Sequence, residues 1–127
     1  MKTGKVVGFG GVFFRCKDKE GLINWYKTHL GFDIADWGAI FPLKQVLDQA
    51  PAAYNVWSPF PADTDYFKPS NSSFMFNFIV DDLDALLQNL TASGIDWHGE
   101  PEESEFGKFA WVIDPEGNKV ELWEPAK

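Results

Sequence analysis

The second half of this 127-residue chain repeats the first. Gly11 to Asp18 lines up with Met75 to Asp82 at an offset of 64 residues (11 to 75, 18 to 82). Farther on, Leu30-Gly31-Phe32-Asp33 answers Ser93-Gly94-Ile95-Asp96, and Tyr54-Asn55-Val56-Trp57-Ser58-Pro59 answers Val120-Glu121-Leu122-Trp123-Glu124-Pro125. A repeat this long is one supersecondary unit used twice within a single domain, because neither unit alone can bury its apolar face. Residues matched by the repeat are expected to face each other across whatever site the fold builds.

Each half carries the same string of local signals. Lys5 to Lys17 is rich in β-branched and aromatic residues and reads as a strand. Asp18 is a helix N-cap, and Leu22, Trp25, Tyr26 and Leu30 recur at helical spacing until Gly31. Residues 32–40 read as two short strands around Gly38, 44–53 stays open between a loop and a helical turn, and 54–58 reads as a strand. In the second half, 73–80 reads as a strand and 82–93 as an amphipathic helix ended by Gly94. A short strand is expected at 95–98, then a hairpin of 109–113 and 119–123. Its turn, Asp114-Pro115-Glu116-Gly117-Asn118, has Pro to set φ and Gly for a left-handed position. Each half is therefore β-α-β-β-β in one α+β domain over 1–127. Module 1 spans about 5–59, a linker about 60–72 and module 2 about 73–125.

Charge narrows the partners. Nineteen acidic against eleven basic residues give a net charge of −8, which disfavours nucleic acid and anionic membrane surfaces. Met1 to Lys5 is followed by no signal-peptide core, so a cytoplasmic location is the expectation. The single Cys16 excludes an internal disulfide or multi-cysteine metal site, and reads as an inert core thiol. Aromatic residues reach 17%, with 12 Phe and 6 Trp, which suits a ring-lined pocket or interface.

Four segments together carry a family likeness: Phe14-Arg15-Cys16-Lys17-Asp18, Trp25 to Phe32, Val80-Asp81-Asp82-Leu83-Asp84, and Asp114 to Leu122. In these the chain resembles the vicinal oxygen chelate superfamily, which includes glyoxalase I, extradiol dioxygenases, fosfomycin-resistance enzymes and bleomycin-binding proteins. The resemblance implies two βαβββ modules in tandem, forming a curled mixed eight-stranded sheet around a cleft with helices outside. It also implies a homodimer. Such a scaffold hosts unrelated activities, so function rests on the site.

In the superfamily's metal enzymes, His and Glu on the first and last strands of each module hold a divalent ion. Those places map here onto Gly11, Asn55, Met75 and Glu121. Glycine has no donor, Asn55 has a weak neutral oxygen and Met75 a soft thioether, which leaves Glu121 as the one hard ligand. His29, on the last turn of the first helix, and His98, after a short strand, are not on ligand positions. The expectation is a degenerate site with no metal and no cofactor.

Alternation along the strands then populates the cleft. If position 11 faces it, so do Phe13 and Arg15, and by the same count Asn55, Trp57, Met75, Asn77, Glu121 and Trp123. Phe76, Phe78, Val80, Val120 and Leu122 turn to the core. Arg15, the only arginine beside ten lysines, presents a planar fork suited to a carboxylate. It either pairs with Glu121 internally or binds an anionic group of a ligand. Trp57 and Trp123 either line the cleft rim or pack in the core. The linker, with Asp63, Asp65, Tyr66 and Phe67, is long enough to cover the cleft, to pack on a partner, or to be a surface connection. The acidic run 100–105 reads as a solvated loop.

Two functions follow. One is metal-independent binding of a small molecule in an aromatic-lined cleft, as in bleomycin-binding proteins, through Phe13, Arg15, Asn55, Trp57, Met75, Asn77 and Trp123. The other is a lyase, isomerase or dioxygenase-like enzyme using Glu121 as catalytic base or ligand. A metal-dependent glyoxalase-like enzyme ranks below both.

Overall fold

The computed structural model describes residues 4–127. Its elements in chain order are α1 (Lys19–Leu30), β1 (Ile34–Ala35), β2 (Gly38–Ala39), α2 (Leu43–Gln49), β3 (Phe76–Ile79), α3 (Leu83–Ala92), β4 (Glu102–Ser104), β5 (Gly107–Ile113) and β6 (Lys119–Pro125). Among the described residues this makes a mixed α+β fold with a four-stranded and a two-stranded sheet.

The second half follows the order β-α-β-β-β that its sequence pattern predicts, although one of its strands lies at 102–104 rather than 95–98. The strands lie in the order β3-β6-β5-β4, with β3 parallel to β6 and the other neighbours antiparallel. Asp82 caps α3 by accepting from the Ala85 amide at 3.0 Å. Leu83, Leu87 and Leu90 of α3 then pack onto Ala110, Val112, Val120 and Leu122 of the sheet, all buried. Helix α1 joins the same core through Leu22 and Tyr26. Its N-cap is Asp18, accepting from the Gly21 amide, and it ends at Gly31 in the left-handed region (φ 72°).

The β5–β6 turn ties this helix down. Asp114 is buried, and its carboxylate accepts from the amides of Glu116 and Asn118, the Asn118 side chain and the Tyr26 hydroxyl (2.7 Å). Burial first, and then this bond, push the Tyr26 hydroxyl well above the usual tyrosine range. Glu116 accepts from the amides of Lys17 and Asp18, at the entry of α1. The first helix is thus anchored to the β5–β6 turn.

The first half differs from expectation. The strands predicted at 5–17 and 54–58 carry no strand hydrogen bonding, although the short hairpin around Gly38 is present as β1 and β2. The two segments approach each other, with Asn55 Nδ2 donating to the Phe9 carbonyl at 3.5 Å, but no ladder of backbone hydrogen bonds joins them. Their apolar side chains are accordingly open: Phe13 is 101% exposed, Val6 90% and Trp57 79%. Two smaller differences lie in the second half. Residues 95–98 form no strand, and the segment read as an acidic loop supplies β4, whose Glu102 and Glu103 sit on an exposed sheet edge where charge discourages further pairing. Of the open stretch 44–53, residues 44–49 belong to α2 and the rest turn away after it. No helix among the described residues is long and apolar enough to cross a membrane.

Candidate functional site

Alternation along β6 sends Val120 and Leu122 to the helices, which leaves Lys119, Glu121 and Trp123 on the opposite face. Register then sets the neighbours of Glu121. Its partner on β3 is Asn77 and its partner on β5 is Trp111, so three strands place one row of polar atoms side by side. Asn77 Nδ2 donates to Glu121 Oε1 at 2.7 Å, and Trp111 Nε1 donates to Oε2 at 2.9 Å. The third donor comes from the linker, where the Tyr66 hydroxyl donates to the same Oε2.

Lys119, one row away, donates from Nζ to the Tyr66 carbonyl at 2.7 Å. Its ammonium lies 5.2 Å from the Tyr66 ring centroid and 5.6 Å from that of Trp111. Burial lowers the Lys119 ammonium below the usual lysine range, against the opposing pull of Glu121. Burial raises the Tyr66 phenol above its usual range, and the bond to Glu121 raises it further, so it stays a donor at neutral pH. In the next row Trp123 stacks on Phe109 (6.2 Å, 12°), meets Tyr54 edge-on at 5.1 Å, and donates from Nε1 to the Phe106 carbonyl.

The site residues expected from sequence fall into separate places. Asn77 and Glu121 meet, Trp123 shares their face, and Met75 is half-buried just before β3. Asn55 and Trp57 line a different feature, an open apolar groove of 460 Å³ shared with Val6, Gly8 and Phe9. Phe13 and Arg15 are exposed. The internal Arg15–Glu121 ion pair does not form: among the described residues the ion pairs are Lys68–Asp65 and Lys108–Asp84, and hydrogen-bond donors satisfy Glu121 instead. His29 lies against Trp25 on α1, and His98 contributes only its backbone amide, to the Trp111 carbonyl.

Sequence reading passed over Trp111 and Lys119, although both lie on the alternation that places Glu121. Tyr66 carried no such signal. It sits in a turn-rich segment without periodicity, and only the linker's length hinted at a role.

A divalent ion does not fit these residues. Gly11 and Met75 lack hard donors, Glu121 is surrounded by three hydrogen-bond donors, and no three His, Cys, Asp or Glu side chains converge among the described residues. The arrangement instead suits a ligand that offers a hydrogen-bond donor and an aromatic face.

Comparison with known proteins agrees with this scaffold. A family model described as the Glyoxalase/Bleomycin resistance protein/Dioxygenase superfamily matches residues 8–122. No curated protein matches the chain. Among solved structures, the antibiotic-binding protein TnmS3 from Streptomyces sp. CB03234 is 24% identical, with a TM-score of 0.51 over 87% of this chain and 88% of its own. A glyoxalase/dioxygenase from Nostoc punctiforme is 16% identical, with a TM-score of 0.53 over 88% and 86%. A virulence protein from Salmonella typhimurium is 16% identical, with a TM-score of 0.52 over 91% and 100%. At these identities the likeness is one of fold.

Proposed function

Since the chain belongs to the glyoxalase/bleomycin resistance protein/dioxygenase superfamily, we propose that it is a metal-independent member that binds a small molecule in an aromatic-lined cleft. The observation that carries this reading is the donor shell of Glu121. A carboxylate engaged by Tyr66, Trp111 and Asn77 is ill placed to take a metal ion or to remove a proton, whereas it is well placed to orient a ligand. TnmS3, an antibiotic-binding protein of this fold, adds support for a small-molecule-binding reading. Elemental analysis of the purified chain is expected to find no stoichiometric Zn, Ni, Mn or Fe. A thermal-shift screen of aromatic compounds is expected to find stabilising ligands. A stoichiometric metal that survives dialysis overturns the reading.

The proposal includes the tandem architecture of two modules forming an eight-stranded sheet, and a homodimer in which the cleft is completed across subunits. The exposed Val6, Val7, Phe13 and Trp57, on segments outside any strand, support a second copy packed against them. In that assembly Phe13, Arg15, Asn55 and Trp57 join Met75, Asn77, Glu121 and Trp123 around one cleft. A cytoplasmic setting goes with it, to which a chain with one free thiol, Cys16, is suited. Light scattering is expected to give twice the monomer mass. Phe13→Glu, placing charge on a fully exposed ring position, is expected to shift the protein to monomer at micromolar concentration. A native chain that stays monomeric refutes the shared cleft.

A further inference from the structure

We infer that the face around Glu121 is a binding subsite for a neutral hydroxyaromatic group, and that Tyr66 occupies it as an internal stand-in. The inference rests on the small-molecule-binding reading above and names the chemical class that reading leaves open.

The three donors to Glu121 are not equivalent. Asn77 and Trp111 are set beside it by strand register, so they stay while the sheet stays. Tyr66 belongs to the strap between the modules, whose local bonds are turn contacts such as Tyr66 N–H to Thr64 Oγ1 (3.2 Å). Its side chain is held by the Glu121 bond, by Phe60, which stacks on it at 5.6 Å, and by the Lys119 ammonium over its ring, which also donates to the Tyr66 carbonyl. Tyr66 remains 41% exposed and Asn77 on the edge strand is exposed too, so the face is reachable from that side. Tyr66 is the donor a ligand can replace.

What replaces it is constrained by charge. An ionised carboxylate only accepts, so Glu121 requires an N–H or O–H. An anionic ligand meets repulsion from Glu121, and a cationic one meets Lys119, whose ammonium lies over the same ring position. A neutral ring with a hydroxyl offers Lys119 its π-face and Glu121 its proton, as Tyr66 does. An aliphatic alcohol supplies the donor but no face for Lys119 and no partner for the rings of Trp111 and Trp123.

The test uses calorimetric titration of the full chain with 2-naphthol, 2-methoxynaphthalene, 2-naphthoate and 2-naphthylmethylammonium. The native protein is expected to bind 2-naphthol roughly tenfold more tightly than the methoxy compound, the size of one hydrogen bond to a charged acceptor. Both charged probes are expected to bind more weakly than 2-naphthol. Tyr66→Phe removes the competing hydroxyl and is expected to tighten both 2-naphthol and 2-methoxynaphthalene by about tenfold, because neither then has to break the Tyr66 bond to Glu121. Glu121→Gln is expected to weaken 2-naphthol by a similar factor. Equal binding of 2-naphthol and 2-methoxynaphthalene overturns the subsite, as does loss of 2-naphthol affinity in Tyr66→Phe. So does the absence of any naphthyl binding. The native ratio needs no variant to fold. A metal found in the protein would instead sink the wider reading, so the two failures are distinct.

Discussion

Glu121→Ala is expected to destabilise the fold by about 2–3 kcal/mol, whereas Glu121→Gln is expected to cost less than about 1 kcal/mol. Glu121 and Trp111 are each 8% exposed, so alanine leaves the Trp111 N–H without acceptor or water. It also removes the negative charge beside the buried ammonium of Lys119. The Tyr66 hydroxyl and the Asn77 amide stand nearer solvent and recover partners there, which is why three lost bonds do not cost three full penalties. Glutamine keeps the network by a rearrangement. Its oxygen can accept from Trp111 and Tyr66, and its NH₂ can donate to Asn77 once that amide turns over. Urea denaturation of both variants measures the difference. Equal losses would mean that the carboxylate's charge, rather than its hydrogen bonds, holds this face together.

Gly107→Ala is expected to lower stability by about 3 kcal/mol or more, with a fall in Tm of roughly 10 °C. Gly107 has φ +120°, a region closed to side chains, and a Cβ there would lie 2.1 Å from the Glu124 carbonyl oxygen. The atoms it meets, in Glu124, Pro125 and Ala126, are all backbone, so no rotamer change relieves the clash. Gly107 pairs with both Ser104 and Pro125, and the adjacent Phe106 carbonyl accepts from Trp123. Displacing it therefore loosens β4, β6 and the aromatic row together. A melting temperature within a degree or two of the native value would refute this account of the hairpin.

Legibility followed the range of the forces involved. Asp18 as a cap, Gly31 as a helix stop and the Asp114–Asn118 turn are local, and each appears where the sequence places it. The alternation that sends Val120 and Leu122 inward also exposes Glu121 and Trp123 to the other face, so part of the site was readable. The ion pair with Arg15 failed because nothing in the alternation says which segment lies above Glu121. Tyr66 fills that place from a stretch with no period, and the strap brings it there through long-range contacts. The strands at 5–17 and 54–58 show the same limit, since strand propensity alone does not supply an edge.

By itself, then, the sequence determined the bounds of the first and third helices, the Asp114–Asn118 turn, the family and the inward or outward sense of the strands at 76–79 and 119–123. All of these depend on neighbours within a few residues or on period along the chain. Only the tertiary structure decided which donors surround Glu121, that Lys119 and Tyr66 share its face, and that the first module's strands lie open. The Asn77 and Tyr66 bonds to Glu121 join residues 44 and 55 positions apart, which no local pattern encodes.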